Sequence, residues 1–150
     1  MQPITAATGQ QLAEIMMALV DVPYIWGGKD PSIGLDCSGA VAYCMEQCGL
    51  VPSDFAHENN AENIQDYCIP INKADVRPGD LAFYGTQMRT VHVMMFVGPE
   101  LVMGAQGGGP HCKTRQEAEA LGACVKTKPE FYRADLVDFR RVPQPSESDV

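Results

Sequence analysis

Hydrophobic positions recur with two different periods along this chain, and the change of period separates a helical first half from a strand-rich second half. Near the N-terminus Leu12, Ile15, Met16 and Leu19 fall at i, i+3, i+4 and i+7, behind a Thr8–Gln11 pair with capping-box spacing. This predicts an amphipathic helix that packs on a core and stops near Asp21, because Pro23 disfavours helical backbone just before it. Residues 23–35 are rich in Gly and Pro and read as an ordered loop. A second helix is predicted from about Cys37 to Gly49, N-capped by Asp36, with Val41, Cys44, Met45 and Cys48 as its apolar stripe. Cys37 lies one turn before Val41 on that same face. The segment 53–68 is polar with weak helical spacing at Ala61, Ile64 and Cys68, which predicts a loop and a short helix.

After Pro78 and Gly79 the period drops to two. Residues 81–84, 91–97 and 101–105 are predicted strands. In the middle one Val91, Val93, Met95 and Val97 share one face, while His92, Met94 and Phe96 share the other. Gly107, Gly108 and Gly109 break the pattern. Thr114 and Glu117 again fit a capping box, for a short helix closed by Gly122, and 124–126 and 136–142 read as final strands. Helices followed by an antiparallel meander make an α+β domain, taken as a single unit over residues 1–142. The tail PQPSESDV, residues 143–150, is predicted to be disordered.

Composition narrows the class. A chain of 150 residues, 45% hydrophobic and 20% charged, suits one globular domain and argues against disorder. Its apolar stretches are far too short to span a bilayer, so no membrane insertion is expected. A net charge of −8 would repel phosphate backbones, which sets nucleic acid aside as a partner. The start MQPITAATGQQ has neither a basic stretch nor an apolar signal core, which speaks against ordinary secretion. The six cysteines read as thiols rather than a disulfide scaffold. Cys44 and Cys48 are four apart with no second close pair, and His111 and Cys112 are adjacent, so no zinc-ligand spacing stands out. No metal or cofactor is expected.

Cys37 carries the candidate chemistry. A thiol is a good nucleophile as thiolate, and a helix N-terminus supplies partial positive charge that favours this form. The small residues Ser38, Gly39 and Ala40 behind it would let a substrate backbone approach, and the first-turn amides are candidate oxyanion donors. On spacing alone, Cys37 reads more readily as one more buried thiol of the stripe. There are three histidines to serve as its base. His57 lies in a polar segment and His111 in a loop, whereas a strand can aim the imidazole of His92. A satisfied core histidine is the alternative there.

Taken together, Pro23-Tyr24-x-Trp26-Gly27-Gly28, Gly34-x-Asp36-Cys37-Ser38-Gly39, Arg77-Pro78-Gly79-Asp80-Leu81 and Val91-His92-Val93 running to Gly98 resemble, in order and spacing, the NlpC family of bacterial cell-wall endopeptidases. The resemblance covers about residues 10–105 and implies a trimmed papain-like fold with N-terminal helices packed on an antiparallel sheet. It implies a cysteine peptidase cutting the peptidoglycan stem peptide, usually between D-glutamate and diaminopimelate or lysine. Cys37 would form the acyl-enzyme, with His92 as general base. Tyr24 would stand beside the nucleophile, and Asp36 and Ser38 would contact the free amino end of the stem peptide. Packing, helix capping and completion of the first turn are the plainer roles of these three. The family's third polar residue falls at Gly104, which cannot orient an imidazole. Gln106, two residues on, is the candidate for that role, with His111 or water as the fallback. Acyl transfer or amidase chemistry on another substrate, or a non-catalytic binding domain of the same fold, are the other functions such a chain can have. Delivery to the wall by a phage tail or secretion machine, or recycling of wall fragments in the cytoplasm, are the settings the resemblance suggests; oligomeric state is not readable.

Overall fold

In the computed structural model, which describes residues 1–145, the chain runs β1 (Gln2–Pro3), α1 (Ala6–Ala18), β2 (Lys29–Asp30), β3 (Gly34–Leu35), α2 (Cys37–Gln47), α3 (Phe55–Glu58), α4 (Ala61–Tyr67), β4 (Ile69–Ile71), β5 (Leu81–Gly85), β6 (Thr90–Gly98), β7 (Leu101–Gln106), α5 (Arg115–Leu121), β8 (Cys124–Pro129), β9 (Leu136–Arg141) and β10 (Pro143–Gln144). The architecture is α+β, as the periodicity predicts. Strands β5 to β8 form the predicted antiparallel meander. Strand β9 then returns to lie between β4 and β5, giving a six-stranded sheet of order β4-β9-β5-β6-β7-β8.

The alternation along β6 decides what each face of the sheet meets. Val93 and Met95, with Leu81 and Phe83 of β5, face the main core, which includes Leu12 and Met16 of α1, Val41, Cys44 and Met45 of α2, and Ile64 of α4. Met94 and Phe96 join Ala82, Tyr84 and Val102 in a smaller cluster on the other face, covered by Val76, Tyr132, Leu136 and Phe139. Both faces are therefore dry, and β6 is a central strand with little solvent on either side.

Three local readings change. Helix α1 begins at Ala6, with Thr5 as its N-cap accepting from the Thr8 amide at 3.2 Å; Thr8 lies inside the first turn. Strand β4 and the β1–β10 pair are too short to show a period, and Pro143–Gln144, expected in a disordered tail, instead pair with Gln2–Pro3 at the foot of α1. The rest of that expected tail, residues 146–150, lies outside the described residues.

The Arg77–Leu81 turn is fixed by two features. Gly9 of α1 and Gly79, which has φ 93°, face each other so closely that an added Cβ on either would sit 2.4 Å from the other segment's backbone. Asp80 is buried, accepts from the Arg77 amide at 2.9 Å, and binds both Nε and Nη2 of Arg141 at 2.8 and 2.9 Å. This bidentate pair ties the turn to the far end of β9.

Candidate active site

Helix α2 is started by Asp36, whose carboxylate accepts from the Gly39 amide at 2.6 Å. The Gly-rich loop before it straps across the first turn: the Asp36 amide donates to the Gly28 carbonyl at 3.1 Å, and a Cβ on Gly39 would meet that same oxygen at 2.2 Å. Ser38, Gly39 and Ala40 are buried, and the missing side chain at Gly39 serves this close approach, while Ser38 lines the cavity beside Cys37. Cys37 is 9% exposed. Its sulfur accepts from the backbone amides of Val93 and Ser38, which sets it against the strand residue that follows His92. Burial, and then the Asp36 carboxylate, push the thiol up to about 11, and the two amides with the Lys29 ammonium only partly oppose them. Desolvation outweighs the helix N-terminus here, so the resting sulfur is a neutral thiol at physiological pH.

His92 stands opposite Tyr84 in the β5–β6 register and is 6% exposed. Its ring lies 5.5 Å from that of Tyr84 and 6.3 Å from that of Tyr132, and its Nε2 shares a hydrogen bond of 2.7 Å with the Tyr132 hydroxyl. Burial, aided by the Arg133 charge, depresses the imidazole to about 3, so this group too rests neutral. Gln106 ends β7 and lines the same cavity as His92. Its Nε2 is buried without a hydrogen-bond partner among the described residues, and the side chain bonded to His92 Nε2 is Tyr132 instead. Sequence reading missed Tyr132: it lies in the loop between β8 and β9, forty positions from His92, and no spacing rule connects them. His111 and His57 are both exposed, and neither lines a cavity at this site.

Tyr24 is buried and held by its backbone, which donates to Ala123 at 3.0 Å and accepts the Cys112 thiol at 3.2 Å. Its ring lies against Gly108, where a Cβ would be 2.2 Å from Cδ1. Burial, and then the neighbouring Cys37, push its phenol well above the ordinary range. Tyr24 thus lines the cavity of His92 and sits within electrostatic reach of Cys37, as Tyr132 also does.

Two cavities open at this corner, and Gly109 borders both. One, of about 350 Å³, is lined by Tyr24, His92, Gln106, Tyr132 and Arg133. The other, of about 560 Å³, is lined by Cys37 and Ser38 together with Trp26, Lys29, Asp36, Glu62 and Arg89. In this second arm the Lys29 ammonium lies 3.2 Å from each Asp36 carboxylate oxygen and 3.3 Å from the Ser38 hydroxyl. The two side chains expected to meet a substrate amine already hold one from the protein.

Known proteins resemble this chain in sequence and in fold. Murein DD-endopeptidase MepH of Escherichia coli (strain K12) is 36% identical over 86 residues, which is 55% of this chain and 31% of the relative. The bifunctional muramidase/DL-endopeptidase CwlT of Bacillus subtilis (strain 168) is 29% identical over 123 residues, 80% of this chain and 32% of the relative. The chain thus spans about a third of the length of these relatives. Among solved structures, NlpC2 of Trichomonas vaginalis superposes with a TM-score of 0.72 at 18% identity, over 92% of this chain and 47% of that one. The NlpC/p60 domain of peptidoglycan hydrolase SagA gives 0.65 at 25% identity, over 92% of this chain and 98% of that one. Cys37 on its capped helix, His92 on its central strand and the turn at Asp80 all fall within residues 21–127, which match the model of the NlpC/P60 family, and the chain belongs to that family.

Proposed function

We propose that this chain is a cysteine endopeptidase that hydrolyses an amide of the peptidoglycan stem peptide, between D-glutamate and diaminopimelate. The observation that carries the reading is a buried helix-terminal thiol that accepts from the amide of Val93, the residue after the strand-held His92, with thiol and imidazole lining two cavities that share Gly109. With His92 Nε2 engaged by Tyr132, Nδ1 is the nitrogen available for the thiol proton. As that proton passes to Nδ1, the sulfur attacks the amide carbon. The tetrahedral intermediate collapses to a thioester, and the imidazolium returns the proton to the departing amine. Water then repeats the sequence to release the acid and restore the thiol.

An amide count in the first turn of α2 supports one oxyanion donor. The Gly39 amide is taken by the Asp36 carboxylate, the Ala40 amide by the Asp36 carbonyl, and the Ser38 amide by the sulfur. The Cys37 amide is left to meet the developing charge. The thiol arm carries Lys29 and Arg89 together with Asp36 and Glu62, and Arg133 lines the imidazole arm, so groups of both signs are available to a stem peptide that bears carboxylates and an amine.

The test is digestion of purified diaminopimelate-type peptidoglycan by wild type and Cys37→Ala, with fragments identified by mass spectrometry. Cysteine-dependent products split between D-glutamate and diaminopimelate are expected. Relatives are named for both DD- and DL-cleavage, and products split at the cross-link would reassign the bond. Cleavage of soluble stem peptides alone would make this a fragment-recycling enzyme. Products from Cys37→Ala equal to wild type would sink the nucleophile assignment.

A further inference from the structure

His92 needs a partner on Nε2 to act as a base through Nδ1. An imidazole with both nitrogens free exchanges tautomers and rotates, so only part of its population presents a lone pair to the thiol. Gln106, at the end of β7, lines the same cavity as His92 but has a buried amide nitrogen without a partner among the described residues, while the Tyr132 hydroxyl lies 2.7 Å from Nε2.

The loop holding Tyr132 is anchored at several points. Its amide donates to the Pro129 carbonyl at 3.0 Å, which closes a turn directly after β8. The Tyr84 hydroxyl, from the strand beside His92, donates to the Glu130 carbonyl at 2.8 Å, and the buried Glu130 carboxylate pairs with Lys73. Arg133 forms two hydrogen bonds to Asp135, at 2.9 and 2.7 Å, and its guanidinium lies 5.7 Å from the Tyr84 ring centre. The rings of Tyr84 and Tyr132 meet edge to face at 5.7 Å. The phenol is therefore held on both sides of its place in the chain, and a tyrosine so fixed carries little freedom to lose when it orients a neighbour.

We infer that Tyr132 is a positioning residue for His92: its hydroxyl oxygen accepts from Nε2–H, which fixes the imidazole plane and keeps the Nδ1 lone pair toward Cys37. When the thiol proton arrives, the imidazolium has two N–H groups, and the Nε2–H bond to the phenol oxygen becomes charge-assisted. Tyr132 thus strengthens its hold as the reaction proceeds and makes no contact with the reacting carbon. The inference rests on the reading of Cys37 and His92 as nucleophile and base, but two of its readouts need no substrate.

The variant is Tyr132→Phe, which keeps the ring packed on Tyr84 and removes only the oxygen. The first readout is the His92 tautomer by nitrogen-15 NMR of the full chain at neutral pH. Wild type is expected to show the Nε2–H form, and Tyr132→Phe a mixture. The second is the rate at which iodoacetamide alkylates Cys37 between about pH 5 and about pH 10, followed on the Cys37 peptide by mass spectrometry. The groups that face His92 are Tyr84 from β5, Gln106 from β7, Tyr24 from the first loop, and Tyr132 with the Arg133–Asp135 pair. Of these, only Tyr132 changes. Loss of its acceptor makes the imidazolium less favourable, so alkylation near neutral pH is expected to slow by roughly fivefold or more, with the profile displaced. The third is turnover of peptidoglycan peptides, where kcat is expected to fall by roughly tenfold to a hundredfold with KM unchanged, the size of losing an orienting partner of a general base.

An Nδ1–H tautomer in wild type would overturn the inference, because the phenol would then donate and silence the base. So would an unchanged tautomer and alkylation profile in Tyr132→Phe, or a tautomer lost in Gln106→Ala and kept in Tyr132→Phe. Failure of wild type to cut any wall peptide would strike the proposed function instead, while the tautomer and alkylation results still judged Tyr132.

Discussion

Lys29 sits where a substrate amine would be expected, and its ammonium is shared between Asp36 and Ser38 at 3.2 to 3.3 Å. A stem peptide with a free amino end must displace this ammonium to reach the carboxylate, whereas an N-acylated peptide, still joined to its glycan, need not. Removing Lys29 frees an acceptor for one charge-assisted hydrogen bond. Such bonds are worth roughly 1.5 to 3 kcal/mol, so Lys29→Ala is expected to raise kcat/KM for free-amine over N-acetylated stem peptide by about tenfold or more. Paired assays of the two peptides on both proteins check this, and an unchanged ratio would leave Asp36 as a helix cap alone. At this scale the sequence was most informative where the chemistry is local. Asp36 as cap, Cys37 at the helix start and Cys44 in the core all follow from spacing within two turns. Tyr132 and Lys29 act on partners reached through loops, and no period within either segment points to them.

Helix α1 shows how an element can be held by its weakest residue. Gly9 lies in the helix interior, where alanine would be favoured by about 1 kcal/mol on propensity. It is glycine because α1 crosses the Pro78–Gly79 turn there, with no room for a methyl group: the added Cβ would lie 2.4 Å from the Pro78 carbonyl oxygen. Gly9→Ala is therefore expected to destabilise the fold by about 1 to 3 kcal/mol despite the better helix former, as overpacking does in well-filled interiors. Urea unfolding of the two proteins measures it, and a stabilised variant would show that α1 can lift from the turn. Element order, the β5–β8 meander and the caps of α2 and α5 were readable because each is signalled within its own residues. The placement of β9 between β4 and β5 was not. It depends on long-range pairings of Phe139 with Ile71 and Ala82, and on Arg141 meeting Asp80, and none of these leaves a local pattern.

For the molecule as a whole, the site is a place where the fold holds acid–base groups away from their charged forms. Burial keeps the His92 imidazole at about 3 when its ordinary value is 6.5. Between these values the unfolded chain binds a proton that the folded chain refuses. Stability contributed by neutral His92 is thus fully present above pH 6.5 and is lost as pH falls toward about 3, with a slope approaching about 1.4 kcal/mol per pH unit. The carboxylates of the unfolded chain take up protons only near and below about pH 4.3, so from about pH 6 to about pH 5 the fall comes chiefly from the histidine, with the Glu46 carboxyl, raised by burial, acting in the opposite direction. His92→Gln is expected to flatten the fall in unfolding free energy across that interval, whatever its effect on stability at pH 7, and denaturant midpoints at two pH values suffice to measure it. The alkaline side runs the other way. Cys37 and Cys68 are raised from 9.0 to about 11 and about 12, so their contribution is intact below pH 9 and fades as pH climbs through the raised values. Cys37→Ala should relieve only part of that fading, because the core thiols Cys44 and Cys68 are pushed up by the same burial. A slope between pH 6 and pH 5 that survives in His92→Gln would mean that the folded site takes up the proton, and that the imidazolium is as well housed there as the reaction finally requires.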